Sequence, residues 1–587
     1  MEKQIIALIQ EVVKQNYNIE LGDIKLAFPP KKNLWDFCFQ CGILSRDLKK
    51  NPAIIAEELA PLLSQQDLIE ESSATGPFVN LKISKQIFVS ALAAMYQNID
   101  AFLAPNIWNN EKIVVDYIWA NVGKPLHIGH MCTPNQGQVM INLYNKIGYD
   151  VISDSHIWDW GIIFWKLITA YKLWWNEEKL HENAVEYLLE LYVKITAEAE
   201  NDDTLEEQAR NAFKLLSEWD KDSQKLWAEF TSYSIQAMNK QLDRLNIHPQ
   251  YNIWESFYEG LGLPKMENYP DLTTDMHTIV NELVEKGIAI KNDDNSVWVE
   301  FDEKLKMPSC ILQKRNGTHG YLASDLATIK YRMQNWAPDK IVYFIDVRQA
   351  LHLRQTFEIA KNAGWLSMNR TWEKTELFHA YNWFISGKEG AFSTRKGNII
   401  RLWDLLDEAE NRAKSIILEK RDDIAWKELD DLSKIIWVWA IKYGYLKKSR
   451  ETDVIFDWDE FMTFEGNSGP YIQYAYVRAR RILENYWTDI TEVVNWELTQ
   501  SEEVDLIKLL WTYKEVLEKT ADSNMPHNLC KYAFDITKAF NSFYNSVHIL
   551  NEEDEDKKII RLQLVDLFSQ TLKEVFGLLG IDMPEKM

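Results

Sequence analysis

The stretch Lys112-Ile113-Val114-Val115-Asp116-Tyr117, with a loop to Pro125 and a helical pattern from about Gly129 to Lys146, decides the fold. A short β-branched run that is apolar on both faces is what a buried parallel strand needs. Gly148 is placed to stop the helix, and Val151-Ile152 starts a second strand. Strand, loop, helix and strand within about 40 residues form a βαβ unit. That unit predicts a parallel sheet whose functional site lies at the carboxyl ends of its strands.

Working outward, residues 1–104 read as a separate small α/β unit. Helical patterns at 1–16, 51–64 and 84–98 surround a loop at Phe28-Pro29-Pro30 and a short strand at Phe78-Val79-Asn80-Leu81-Lys82. Pro105 and Asn106 mark a linker. Past the first βαβ unit, residues from about 165 are helical and charged. A β-rich piece follows (Val297 to Phe301, then Ile311-Leu312), so 165–320 reads as an insertion in a domain spanning 105–404. The parallel core resumes at Lys340-Ile341-Val342-Tyr343-Phe344-Ile345-Asp346. Residues 405–587 are almost wholly helical in pattern, with a solvated acidic run from Glu552 to Asp556. The fold class expected is multidomain α/β: a Rossmann-like core, a small N-terminal α/β domain and an all-α C-terminal domain.

Composition narrows the class. At 587 residues the chain exceeds one core, since domains average about 150 residues. Apolar residues at 46% and charged residues at 26% exclude disordered and collagen-like classes. No apolar run reaches the roughly 18 residues of a membrane helix. The first 20 residues form an amphipathic pattern without a signal or transit character, so a cytoplasmic location is expected. Five cysteines make no disulfide framework, and Cys38-x-x-Cys41 lacks a second pair, so buried thiols are favoured over zinc. The formal charge of −23, from 65 basic and 88 acidic residues, argues against indiscriminate nucleic-acid coating but permits a local RNA contact.

Chemistry concentrates in two strings. His127-Ile128-Gly129-His130 stands where a βα loop enters a helix, where unpaired N–H groups and the helix dipole suit phosphate. Gly129 admits close approach of a nucleotide, and two imidazoles three positions apart share a face and can donate to phosphate oxygens. The bland alternative is a pair of surface histidines. About 260 residues downstream, Gly390-Ala391-Phe392-Ser393-Thr394-Arg395-Lys396-Gly397-Asn398 reads as a mobile loop able to bring positive charge to a triphosphate, or as a basic surface hairpin. Together they point to carboxylate attack on the α-phosphate of ATP.

These two strings resemble the paired signature motifs of class I aminoacyl-tRNA synthetases, and their surroundings resemble the arginyl-tRNA synthetase family. Asn121-Val122-Gly123-Lys124-Pro125-Leu126 before the first motif matches that family. So do Asp159-Trp160-Gly161, Tyr321-Leu322-Ala323-Ser324-Asp325, and Asp346-Val347-Arg348-Gln349 with His352. Phe456 to Asn467 and Pro470 to Tyr476 are similar to its anticodon-binding domain. The resemblance implies arginine-binding roles for Asp116, Asn121, Tyr321, Asp325 and Gln349, with Asn80 reaching in from the N-terminal domain. It implies catalytic roles for His127, His130, Lys124, Arg395 and Lys396, and ATP contacts at Gly129, Ser393, Thr394 and Gly397. A guanidinium, with five donors in a planar fork, suits carboxylates and a phenol oxygen. Each of these residues also has an ordinary alternative as a cap, turn or core side chain.

The resemblance further implies ATP with Mg²⁺, no tightly bound cofactor, L-arginine and tRNA(Arg) as partners, activation only with tRNA bound, and a monomer. Tyr471, Tyr474, Arg478 and Arg481 are the candidate tRNA contacts, since aromatic faces stack unpaired bases and arginines meet phosphate. The sequence departs from the family where Ala391 and Thr394 replace lysines, Lys124 standing in, and where Trp119, Cys132 and Trp158 replace a small residue, an arginine and a glycine. The departures at Trp119, Cys132 and Trp158 keep open a catalytically silent RNA-binding relative. The histidine pair alone would also suit a small nucleotidyltransferase, which leaves the helical C-terminal third unexplained.

Overall fold

The computed structural model describes residues 2–586 except 28–34, 109, 160–161, 201, 203, 206, 209–219, 261–268, 367–373, 388–389, 392–399, 421–423, 487–489, 491–497 and 499. The expected loop at Phe28-Pro29-Pro30, the pair Trp160-Gly161 and the basic loop Phe392–Asn398 lie outside the described residues. The chain divides into two compact units. One comprises Ala104–Val477, Glu515–Phe534 and Lys573–Met587, the other Met1–Leu103, Arg478–Lys514 and Asp535–Leu572. The helices of the C-terminal third are thus shared between the units, because amphipathic helices can bury their apolar faces against distant partners that sequence order does not announce.

In the larger unit β1 (Lys112–Asp116), β2 (Asp150–Ile157), β3 (Tyr251–Trp254), β4 (Lys340–Tyr343) and β5 (Glu376–His379) form one parallel sheet, ordered β5-β4-β1-β2-β3. The order reverses between β1 and β4, where connections leave in opposite directions and open a crevice at the carboxyl ends. Register places Asp116 opposite both Tyr343 and Asp154. Three helices follow core strands or precede them: α1 (Thr133–Lys146), α2 (Tyr321–Asn335) and α3 (Ala350–Asn362). Gly148, at φ +97°, ends α1 in the left-handed conformation that favours glycine. Val114, Ile341, Val342, Ala323 and Ile359 are fully buried among these elements.

The insertion carries helices Ile162–Trp174, Ala184–Ala199 and Lys221–Asp243, then a small antiparallel sheet of Ala289–Lys291, Val297–Val299 and Cys310–Gln313. No helix among the described residues is long and apolar enough to cross a membrane.

The smaller unit contains an antiparallel sheet in which Phe78–Ile83 lies between Phe37–Gln40 and Ile69–Thr75. Helix Pro52–Leu63 starts with proline after Asn51, whose side chain accepts the Ala53 N–H at 2.9 Å, a start that fixes φ and caps an orphan donor together. Within this unit Tyr96 donates to Asp566 at 3.2 Å, and Arg561 pairs with Glu503 at 2.7 Å in a pair nearly inaccessible to water. Cys38 and Cys41 are buried, and burial pushes the Cys41 thiol up to about 12, away from the thiolate a metal would need.

Candidate active site

The histidine motif forms a 3-10 turn, Ile128–Met131, ahead of α1, so the α-helix starts later than its sequence pattern suggests. The cause is local. His127 Nδ1 accepts the Gly129 N–H and His130 Nδ1 accepts the His127 N–H, each at 3.0 Å, a reciprocal cap made by two imidazoles. Each ring therefore carries its proton on Nε2. Burial holds His127 at about 4, helped by the charges of Arg348 and Lys124, and holds His130 at about 3, helped by His127. Near neutrality both are uncharged donors. Gly129 serves this cap directly: a Cβ there would stand 2.7 Å from His127 Cε1.

The segment that follows the basic loop runs beside the motif. Ile128 N–H donates to Ile400 O at 2.9 Å and Leu402 N–H to Leu126 O at 3.0 Å. Ser393, Thr394, Arg395, Lys396 and Gly397 themselves lie outside the described residues. Lys124 holds its ammonium 4.7 Å from the Tyr192 ring centroid, a cation–π contact with the insertion. Arg348 is an exposed cation that the motif reading had passed over. Asp346 grips it in a two-pronged pair at 2.8 and 2.6 Å.

On α2, Asp325 is 7% exposed and stands one turn from Tyr321, which is 54% exposed. His352 of α3 binds Asp325 Oδ2, and His156 at the end of β2 lies 3.6 Å from Oδ1. Ser324 donates to Glu255 Oε1 at 3.0 Å, while Glu255 Oε2 is buried without a hydrogen-bond partner. Burial, then the carboxylates of Asp159, Asp325 and Glu259, push Glu255 well above the usual carboxylate range. Burial likewise raises Asp159 to about 7, although the Ser256 N–H and hydroxyl donate to it at 2.9 and 2.5 Å. Four acids crowd one region, and a cation entering it would relieve their repulsion.

Asp116 does not fit the role expected of it. It is fully buried, its Oδ2 accepts Arg332 at 2.8 Å, and its Oδ1 accepts the Trp119 indole at 2.7 Å. Arg332, itself inaccessible, also binds Asp154 at 2.7 Å. Asp116 thus anchors an internal arginine. The bulky departures are accommodated by tilted and edge-to-face ring contacts: Trp158 lies 5.6 Å from Tyr321 and from Trp119, and Trp119 lies 5.4 Å from His156. Cys132 is buried, its thiol raised to about 12.

Asn121 lies beside Trp158 in a parallel bridge, and Gln349 is half-buried in the turn before α3. Asn80 belongs to the smaller unit, where its amide donates to Thr75 at 3.0 Å. In helix Gly469–Glu484, Tyr471 packs on Phe534 at 6.1 Å and Tyr474 is exposed. Arg478 lies 4.7 Å from the Tyr544 ring and donates to Asn541 at 3.0 Å, and Arg481 is exposed. Sequence reasoning missed Glu255, His156 and Arg332. None stands in a string of distinctive composition, and the first two are marked only by burial with one polar atom unpartnered.

Comparisons with known proteins show the family and the fold. Residues 93–458 match the family tRNA synthetases class I (R), catalytic domain, residues 472–587 the DALR anticodon binding domain, and residues 3–83 the arginyl tRNA synthetase N terminal domain. An arginine–tRNA ligase of Clostridium beijerinckii is 35% identical over 583 residues, covering 99% of both chains. One of Clostridium perfringens is 35% identical over 587 residues, also covering 99% of both. Two solved structures share the fold. The arginyl-tRNA synthetase of Plasmodium falciparum has a TM-score of 0.78 at 22% identity, covering 100% of this chain and 99% of its own. That of Thermus thermophilus has 0.75 at 20%, covering 100% of both. With the catalytic pattern alone matching more than half its length, the chain belongs to the arginyl-tRNA synthetase family of class I.

Proposed function

We propose that the protein is an arginine–tRNA ligase, and the observation that carries this reading is the buried cluster of Glu255, Asp159 and Asp325 in a catalytic core whose histidine motif holds two neutral imidazoles. Asp325 and Glu255 take the guanidinium between α2 and β3, with Tyr321 at the mouth. Asn121 and Gln349 hold the α-amino and carboxyl groups. Asp116 acts at one remove, by fixing Arg332 and Trp119 beneath the slot.

The arginine carboxylate attacks the α-phosphorus of ATP, and the bond to pyrophosphate breaks. His127 and His130 donate Nε2–H to phosphate oxygens as charge builds there, without needing to titrate. Lys124 meets the outer phosphates and, with Arg395 and Lys396, supplies positive charge. Gly129, Ser393, Thr394 and Gly397 line the nucleotide. Mg²⁺ would accompany ATP and would neutralise charge building on its phosphates. The terminal ribose hydroxyl of tRNA(Arg) then attacks the arginyl-adenylate, releasing AMP. Tyr471, Tyr474, Arg478 and Arg481 contact the anticodon stem and loop. The enzyme works as a monomer in the cytoplasm.

ATP–pyrophosphate exchange with arginine tests this reading. Exchange only when tRNA(Arg) is added supports it. Exchange without RNA favours a plain nucleotidyltransferase, and none under either condition favours a silent RNA binder.

A further inference from the structure

We infer that His156 reads one N–H of the substrate guanidinium through an unprotonated Nε2, as a third acceptor beside Asp325 and Glu255. The inference rests on the arginine-slot reading above and assigns a specificity residue within it.

The tautomer follows from the hydrogen bonds. His156 Nδ1 lies 3.3 Å from Thr328 Oγ1, whose own proton is directed to Ser324 O at 2.9 Å. The hydroxyl is therefore left to accept, and Nδ1 carries the ring proton. The lone pair is then on Nε2. That nitrogen is buried, has no hydrogen-bond partner, and faces Asp325 Oδ1 across 3.6 Å. Two acceptors confronting each other across 3.6 Å repel, and the buried Nε2 lone pair is left unsatisfied, a penalty that a shared donor removes.

The ring has no freedom to turn elsewhere. His156 is 1% exposed, with Trp119 at 5.4 Å and Tyr258 at 6.1 Å. It stays neutral, because burial outweighs its charged surroundings. Asp325 and Asp116 favour a proton on it, while Arg332 and His352 oppose one, and the net direction is downward. A guanidinium offers five N–H groups in a plane, more than two carboxylates use, whereas an ammonium offers three in a tetrahedron. A rigid neutral acceptor set against Asp325 favours the planar cation.

The test is calorimetric titration of the full-length protein with L-arginine and with Nω-methyl-L-arginine, for wild type, His156→Leu and His156→Gln, alongside melting temperatures and steady-state aminoacylation. His156→Leu is expected to weaken arginine binding about 10- to 100-fold, with KM rising and kcat changing far less. The preference for arginine over the methylated analogue is expected to shrink in parallel. His156→Gln, which restores an amide oxygen, recovers part of both. Equal weakening for the two ligands, or unchanged arginine binding in a folded His156→Leu protein, overturns the inference. Failure of wild type to bind arginine overturns the slot reading itself instead.

Discussion

Trp119 donates its indole N–H to Asp116 at 2.7 Å, filling the carboxylate oxygen that Arg332 leaves open. A residue that departs from the family pattern thereby completes a buried charge cluster at the switch point of the sheet. Trp119→Phe keeps the ring but leaves Asp116 Oδ1 unpaired. Urea unfolding is expected to show a loss of about 1–3 kcal/mol. Unchanged stability would mean that the indole bond contributes nothing.

Asp325→Ala is expected to weaken arginine binding by at least about 100-fold, because it leaves the guanidinium without its charged partner. Filter-binding affinity for tRNA(Arg) stays as in wild type. If arginine KM is unaltered, Asp325 is not in the slot.

Glu255 makes arginine binding proton-linked. Its carboxyl sits well above the usual range in the empty site, chiefly through burial and then through its acidic neighbours. An arriving cation lowers it, so binding releases protons and arginine affinity rises with pH across the interval between the two values. Calorimetry in buffers of different ionisation enthalpy measures the release, and Glu255→Gln abolishes it. A release that persists in Glu255→Gln assigns the proton to another group.

His130→Asn retains a side-chain acceptor for the His127 N–H but withdraws the imidazole Nε2–H. The rate of single-turnover adenylate formation is expected to fall about 10²- to 10³-fold, with arginine and tRNA binding little changed. A variant as fast as wild type would remove His130 from the chemistry.

Lys442 is fully buried, its ammonium on Leu245 O at 2.6 Å and Gly580 O at 3.1 Å, and burial lowers it to about 7. A base whose folded value lies below its unfolded value near 10.5 binds fewer protons when folded. Its contribution to stability is therefore complete above pH 10.5 and is lost as pH falls through about 7. The melting temperature of wild type relative to Lys442→Met is expected to rise between pH 7 and 10. Parallel curves would place the Lys442 charge in a better solvated setting.

The sequence by itself determined the strand run at Lys112–Asp116, the helix that Gly148 stops, and the return of the core at Lys340. These are local matters, fixed by β-branching, periodicity and the left-handed tolerance of glycine. It also marked the strings proposed to bear the chemistry, because imidazoles at a helix start and a Tyr-x-x-x-Asp turn need only short-range spacing. The tertiary structure alone decided that Asp116 grips Arg332 from 216 positions away and that Glu255 keeps one oxygen unpartnered. It also decided that His156 confronts Asp325 across 3.6 Å. Pairing and burial of charge depend on which strands and helices become neighbours in space, and a carboxylate's role follows from the partners it finds there.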